Sequence, residues 1–193
     1  MKSADIVRAP HKALRTVSDP ITAIDAKVKQ YLETLQYTLQ HTNNPPGVGL
    51  AAPQIDKPYR AFTTQLENPH TDRLQIRLYL NPRITDVADK QVVGTNPRNP
   101  DLEGCLSIPF LYGPVKRPEW VTLTWQEMTT DGQLTDWHTE TFFDFPARVI
   151  QHELDHLNGV LFTDYILEQG QPLYREDHGD LFPVKDLDFI RVY

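Results

Sequence analysis

FPARVIQHELDHLNGVLF, residues 145–162, contains His152, Glu153 and His156 in the spacing H-E-x-x-H. Wound as a helix, with each residue advancing roughly 100°, it places His152, His156, Val149 and Glu153 on one arc. Ile150, Leu154, Leu157 and Leu161 share a second arc, and Arg148, Gln151 and Asp155 a third. A helix apolar over so much of its circumference belongs in a protein interior. Two imidazoles and a carboxylate on its buried side are then unfavourable unless something satisfies them. A divalent metal would do so, leaving the glutamate free as an acid or base. A helix whose two histidines are bonded to ordinary neighbours is the competing reading.

At 193 residues the chain is long enough for one domain with a real core and short for two, so residues 1–193 are expected to form one domain. A net charge of −7 argues against a general nucleic-acid or anionic-membrane surface, because phosphate binding needs clustered Lys and Arg. No run approaches the roughly 18 apolar residues of a membrane span. The first 15 residues lack the apolar run of a signal peptide, and Asp5 and Asp19 weigh against a transit peptide. A single cysteine, Cys105, suits a reducing compartment. The cytoplasm of a bacterium is the expected location, an organelle the alternative.

Along the chain, Ile24, Val28, Tyr31, Leu32, Leu35 and Leu39 recur at helical spacing, predicting an amphipathic helix over 24–41. It ends before Asn43-Asn44-Pro45-Pro46-Gly47, which breaks helix and strand alike. GVGLAAPQ at 47–54 reads either as a tight turn or as a wall of small residues for a substrate backbone, with Gln54 supplying an amide. Residues 59–65 and 74–80 read as strands joined through a loop at Asn68-Pro69-His70, the second stopped by Asn81-Pro82. Residues 85–102, with Asn96-Pro97-Arg98-Asn99-Pro100, read as a surface loop. Val121, Leu123 and Trp125 alternate with polar neighbours in a strand over 120–128. The turn at Thr130-Asp131-Gly132-Gln133 returns it as 134–143. Asp144 is expected to cap the motif helix, and Asn158-Gly159 to end it in a left-handed exit. The tail from Gly170 should hold no long helix.

For a third ligand, residue type alone admits the downstream side chains Asp164, Glu168, Glu176, Asp177, His178 and Asp180, the route taken by zincin proteases. Three stretches together point elsewhere. GVGLAAPQ at 47–54, EGCLS at 103–107 and QHELDH at 151–156 resemble the three motifs of the peptide deformylases, in that family's order. The likeness runs from about Asp5 to Ile166 and leaves the tail outside it.

The resemblance implies an α+β fold, mostly antiparallel sheets around a buried helix carrying the H-E-x-x-H, with the N-terminal helix packed alongside. It implies one divalent metal on Cys105, His152 and His156 with a fourth position open to water, Fe(II) by preference, with zinc, nickel or cobalt as substitutes. Removal of the formyl group from N-terminal formyl-methionine, releasing formate, is the implied reaction. Glu153 takes and returns the proton, and Gln54 with the Leu106 backbone N–H meets the oxyanion. Gly47, Val48, Gly49, Glu103, Gly104, Tyr112 and Arg148 are the implied surroundings of the peptide. Arg117 is expected to pair with Asp155 and fix the metal helix against the EGCLS strand. The implied partners are formyl-methionyl peptides, including nascent chains at the ribosome, with no direct nucleic-acid binding and no membrane.

Two positions depart from the pattern. Tyr112 stands where many members have an arginine that contacts the substrate backbone, and Arg148 where many have an apolar residue. The tail is also not the strongly basic helix through which some members approach ribosomal RNA. Another H-E-x-x-H metallohydrolase, or a non-catalytic binding protein on the same fold, is the alternative function.

Overall fold

The computed structural model describes residues 1–43, 45–68, 71, 73–94 and 101–193. In chain order its elements are α1 (Ala26–Gln40), β1 (Gly49–Ala51), β2 (Ala61–Glu67), β3 (Leu74–Val87), β4 (Gln91–Val93), β5 (Glu103–Cys105), β6 (Ile108–Gly113), β7 (Lys116–Pro118), β8 (Trp120–Gln126), β9 (His138–Phe143), α2 (Asp144–Leu157), α3 (Phe162–Glu168), β10 (Tyr174–Asp177) and β11 (Asp180–Pro183). A five-stranded sheet runs β1-β2-β3-β8-β9, a four-stranded one β11-β10-β6-β5, and β4 pairs with β7. The paired strands within these sheets are antiparallel. With α2 buried among the sheets and α1 packed alongside, this is the expected α+β class. Among the described residues, no helix is long and apolar enough to cross a membrane.

Asp25 starts α1 by accepting the Val28 N–H at 2.7 Å. The stripe Val28, Tyr31, Leu32, Leu35 and Leu39 is buried against Leu50, Ala61 and Leu80. Ala147, Ile150, Leu154 and Leu157 of α2 pack on Phe62, Tyr79, Leu123 and Trp125 of the large sheet. A third apolar cluster joins Leu14, β6, α3 and the tail residues Leu173 and Ile190.

Four expectations are corrected. β3 does not stop at Asn81-Pro82 but continues to Val87, with its register against β8 shifting between Leu80 and Arg83. Asn81 sits at φ 52°, and its amide bonds Ile21 N–H and C=O at 2.7 and 2.8 Å, so a residue 60 positions away holds the bulge open. Asp144 does not cap α2: the N-cap is Phe143, with no side-chain cap bond, and the Asp144 N–H donates to Glu119 O. The Asp144 carboxylate is nonetheless in the first turn, where the helix dipole favours it. Leu161 lies beyond the end of α2 and is the N-cap of α3, an element the residue pattern did not announce. Within 85–102, residues 91–93 form β4, while Asn96-Pro97-Arg98-Asn99-Pro100 lies outside the described residues, as do Pro69 and His70. Gly159 does make the left-handed exit at φ 73°. The tail forms the hairpin β10–β11 and a 3-10 turn at Asp188–Val192.

Candidate active site

The third arc of α2 faces strands rather than water. Gln151 Nε2 donates to Pro118 O at 3.1 Å, Arg148 donates to Val115 O and Val92 O at 2.8 and 3.1 Å, and Asp155 accepts from Arg117 at 2.8 Å. A helix enclosed on every side presents its histidine arc to β5. There Cys105 Sγ comes to 3.2 Å from His156 Nε2, and the two imidazole rings stand edge-on with centroids 4.9 Å apart. The donor atoms of Cys105, His152 and His156 all lie within 4.8 Å of one another. One sulfur with two imidazole nitrogens converging in this way suits a divalent transition metal. His156 is buried and its Nδ1 has no hydrogen-bond partner. Burial pushes its pKa well down, keeping the ring neutral as a ligand must be. Among the described residues no second cluster of this kind occurs, so the downstream acids are not brought to the two histidines. Asp164, for one, is bound to Arg15.

Behind His152 lies a network of charges. Glu103, 5% exposed, accepts Arg117 Nε at 2.6 Å and Nη2 at 2.9 Å, and Arg148 Nη1 at 2.6 Å. Its Oε2 also faces His152 Nδ1 at 3.3 Å. Burial favours the neutral acid, but Arg117 and His152 outweigh it and hold the Glu103 carboxyl well below the usual range. A carboxylate on the far nitrogen of a metal-ligating histidine fixes its tautomer and orientation. The other arm of Arg117 reaches Asp155 Oδ2, whose second oxygen accepts Tyr165 OH at 3.2 Å. With side-chain exposures of 4% and 16%, Arg117 and Asp155 are not two solvated surface charges. Glu103 therefore has no side-chain capacity left for a peptide, and Arg148, which lines the cleft, has its guanidinium bound to Glu103, Val115 O and Val92 O. This role of Glu103 was missed in the sequence. The signal was a carboxylate beside the only cysteine, with two arginines whose partners the sequence did not show.

On the opposite side, Gln54 lies in the 3-10 turn Ala52–Ile55. Its Oε1 accepts the Ala51 N–H at 2.7 Å, which aims Nε2 at Ser107 Oγ (3.2 Å) and Cys105 Sγ (3.6 Å). Leu106 follows Cys105 and lines the same cleft. Glu153 is 3% exposed, and its Oε2 has no hydrogen-bond partner. Burial pushes its carboxyl up to about 7, against the opposing pull of His152. A Cβ on Gly49 would lie 2.3 Å from Glu153 Oε1. The glycine thus makes room for this carboxylate, while Gly47 accommodates Leu39 and Leu106. Val48 is 41% exposed and belongs to the cleft wall.

The cleft encloses about 230 Å³ and is walled by Val48, Leu106, Phe145 and Val149, with Cys105, His152 and Glu153 in its lining. Tyr112 lies against Gly104, where a Cβ would meet its ring at 2.5 Å, and its OH donates to Glu176 at 3.4 Å.

A buried H-E-x-x-H helix, a converging thiol and an unpartnered carboxylate beside a mainly apolar cleft define a metal-dependent hydrolase. A family model for polypeptide deformylase matches residues 3–171. The peptide deformylase of Bradyrhizobium sp. strain BTAi1 is 35% identical over 169 residues, covering 86% of this chain and 88% of its own. That of Rhodopirellula baltica is 39% identical over 171 residues, covering 86% of this chain and 74% of its own. The crystal structure of peptide deformylase from Thermotoga maritima superposes with a TM-score of 0.70 at 30% identity, over 86% of this chain and 98% of that one. A class I type b peptide deformylase from Acinetobacter baumannii with Met-Ala-Ser bound gives 0.68 at 28% identity, over 86% and 99%. The chain belongs to the polypeptide deformylase family.

Proposed function

We propose that this protein removes the formyl group from the N-terminal formyl-methionine of newly made polypeptides, with Cys105, His152 and His156 holding one Fe(II) ion and residues 1–193 acting as one catalytic domain. The observation that carries this reading is the convergence of a thiol and two imidazoles beside Glu153, a buried carboxylate with an unpartnered oxygen. A divalent ion bound there supplies Lewis acidity, polarising the formyl carbonyl and acidifying water at the site. Glu153, its carboxyl raised to about 7, takes the proton from the attacking water. Gln54 Nε2, held by the Ala51 bond, and the Leu106 N–H donate to the oxygen as it gains charge. One such donor is typically worth about 3 kcal/mol, or ~10²-fold in rate. Glu153 then delivers its proton to the departing amine, so formate leaves and the free N-terminus is not reacylated. Glu103, facing Nδ1 of His152, would hold that ring in place to bind the ion through its other nitrogen. Val48, Phe145 and Val149 receive the methionine side chain.

The bacterial relatives and the acidic net charge support a cytoplasmic enzyme that meets nascent chains at the ribosome without a general affinity for RNA. Formate release from formyl-Met-Ala-Ser by protein purified anaerobically with Fe(II) tests the reading. Release should cease on chelation and return with Fe(II); no release at full metal occupancy overturns the assignment. Glu153→Ala should keep the metal and lose ~10²–10⁴-fold in rate, as removal of a general acid–base group does. Loss of metal in that variant would make Glu153 a ligand instead.

A further inference from the structure

The N-terminal segment makes one main-chain hydrogen bond to each of the three stretches that build the site. Val7 N–H donates to Gln54 O, Ala9 N–H to Ser107 O and Ser18 N–H to Leu157 O, each at 2.9 Å. Gln54 ends GVGLAAPQ, Ser107 ends EGCLS, and Leu157 follows His156 as the last residue of α2. All three bonds are between backbone groups, which every residue type supplies, so no residue pattern announced them.

Residues 4–9 lie in the seam between two cores. Ala4 and Ile6 pack on the cluster that contains Leu32, Leu50 and Leu80, whereas Val7 and Ala9 pack on the one that contains Leu14, Leu111 and Phe162. The Ala4 N–H fixes the start of this seam, donating to Thr38 Oγ1 of α1 at 2.9 Å. The elements bridged by Val7 and Ala9 belong to different sheets. β1, which leads into the Gln54 turn, is in the five-stranded sheet, and β5, which leads into the turn Leu106-Ser107, is in the four-stranded one. Among the described residues, no main-chain hydrogen bond joins residues 49–55 directly to residues 103–108. The direct hydrogen bonds between them come from Gln54 Nε2, to Ser107 Oγ at 3.2 Å and to Cys105 Sγ at 3.6 Å. A bond whose donor is also wanted by the reacting oxygen is a poor spacer, and the Val7 and Ala9 bonds are not drawn on by the reaction.

We propose that Val7 and Ala9 are positioning residues of the oxyanion hole, their N–H groups setting the gap between Gln54 and Leu106. The proposal rests on the deformylase reading, in which Gln54 Nε2 and the Leu106 N–H receive the charge that develops on the formyl oxygen. Val7 touches no reacting atom and acts through Gln54, while Ala9 acts through the turn that carries Leu106. Oxyanion donors work in the transition state rather than in ground-state binding, so this strap governs kcat rather than KM.

The test deletes one N–H group from the Fe(II)-loaded full chain. Val7→Pro should lower kcat for formyl-Met-Ala-Ser by about ten- to a hundredfold, up to the loss of a whole oxyanion donor, with KM and metal content as in the wild type. Asp5→Pro puts the same ring into the same segment where the N–H has no hydrogen-bond partner, and should leave kcat unchanged. A double-mutant cycle identifies the route. Gln54→Ala alone should cost ~10²-fold, and adding Val7→Pro to it should slow the enzyme little further, because both changes remove the same donor. A strap that only stabilises the fold would give losses that multiply. If Val7→Pro does not fold, Val7→Gly keeps the N–H, frees the backbone and enters the same cycle with a smaller loss of about three- to tenfold. Wild-type kcat in the Val7 variant, an equal loss in Asp5→Pro, a rise in KM alone, or multiplying losses overturns the strap. No formate from the wild-type protein overturns instead the deformylase reading beneath it.

Discussion

Gly49 and Glu103 show how much of the site depends on residues that do not react. Gly49 presses bare backbone against the end of the Glu153 side chain, so an added methyl would displace the carboxylate rather than the strand. A misplacement of about 1 Å costs on the order of 10²-fold when the displaced group does the chemistry. Gly49→Ala should therefore lower kcat by one to two orders of magnitude while elemental analysis finds the wild-type metal content; an unchanged kcat would remove Gly49 from the positioning of Glu153. Glu103 works from the opposite side, through His152. Glu103→Gln keeps its shape but leaves Arg117 and Arg148 buried without its charge and weakens the bond to His152. Losing an orienting partner typically costs 10–100-fold in metal affinity, and breaking a buried ion pair about 3–5 kcal/mol. Faster metal loss to a chelator, together with a lower denaturation midpoint, is the expected outcome. Retention as tight as wild type would assign Glu103 to folding alone.

Secondary-structure elements form where local signals and distant partners agree, and β3 shows what happens when they disagree. An Asn-Pro pair ordinarily stops a strand, yet here the Asn81 side chain satisfies both backbone groups of Ile21 and reaches Gln126 Oε1 at 3.0 Å. Asn81→Ala should cost about 2–4 kcal/mol, summing the strain of a positive φ and the loss of partners for buried groups. Asn81→Gly, free of the φ strain, should cost about 1 kcal/mol less. Urea unfolding of the two variants measures the difference, and equal midpoints would show that the backbone angle does not matter. The same contrast separates the legible parts of the chain from the rest. Helix α1, the β8–β9 hairpin and the left-handed exit of α2 depend on neighbours a few residues apart, and H-E-x-x-H with EGCLS marked directly the side chains that the fold brings together. The β3 bulge, the Glu103 network and the docking of the tail hairpin on β6 all depend on contacts 14 to 64 residues apart in sequence, which residue pattern does not encode. Arg148 does line the cleft, but its bond to Glu103, 45 residues upstream, was not apparent.

On the scale of the molecule, the tail closes a core. Leu173 and Ile190 are 1% and 0% exposed in the cluster that also contains Leu14 from the N-terminal segment, Ile108 and Leu111 from β6, and Phe162 and Ile166 from α3. Arg15 fastens the two ends of the chain from outside, donating to the Tyr193 carbonyl at 2.7 Å and to both Asp164 oxygens. Such exposed pairs contribute little by themselves, so the apolar cluster should dominate the attachment. Ile190→Ala removes its most enclosed tail side chain and should cost about 2–5 kcal/mol, the usual range for a fully buried isoleucine. For a chain of this size that is a fall in Tm of roughly 5–15 °C in a single transition. A small early transition followed by the main one at the wild-type Tm would mean instead that the tail melts separately, before the metal helix loses its core.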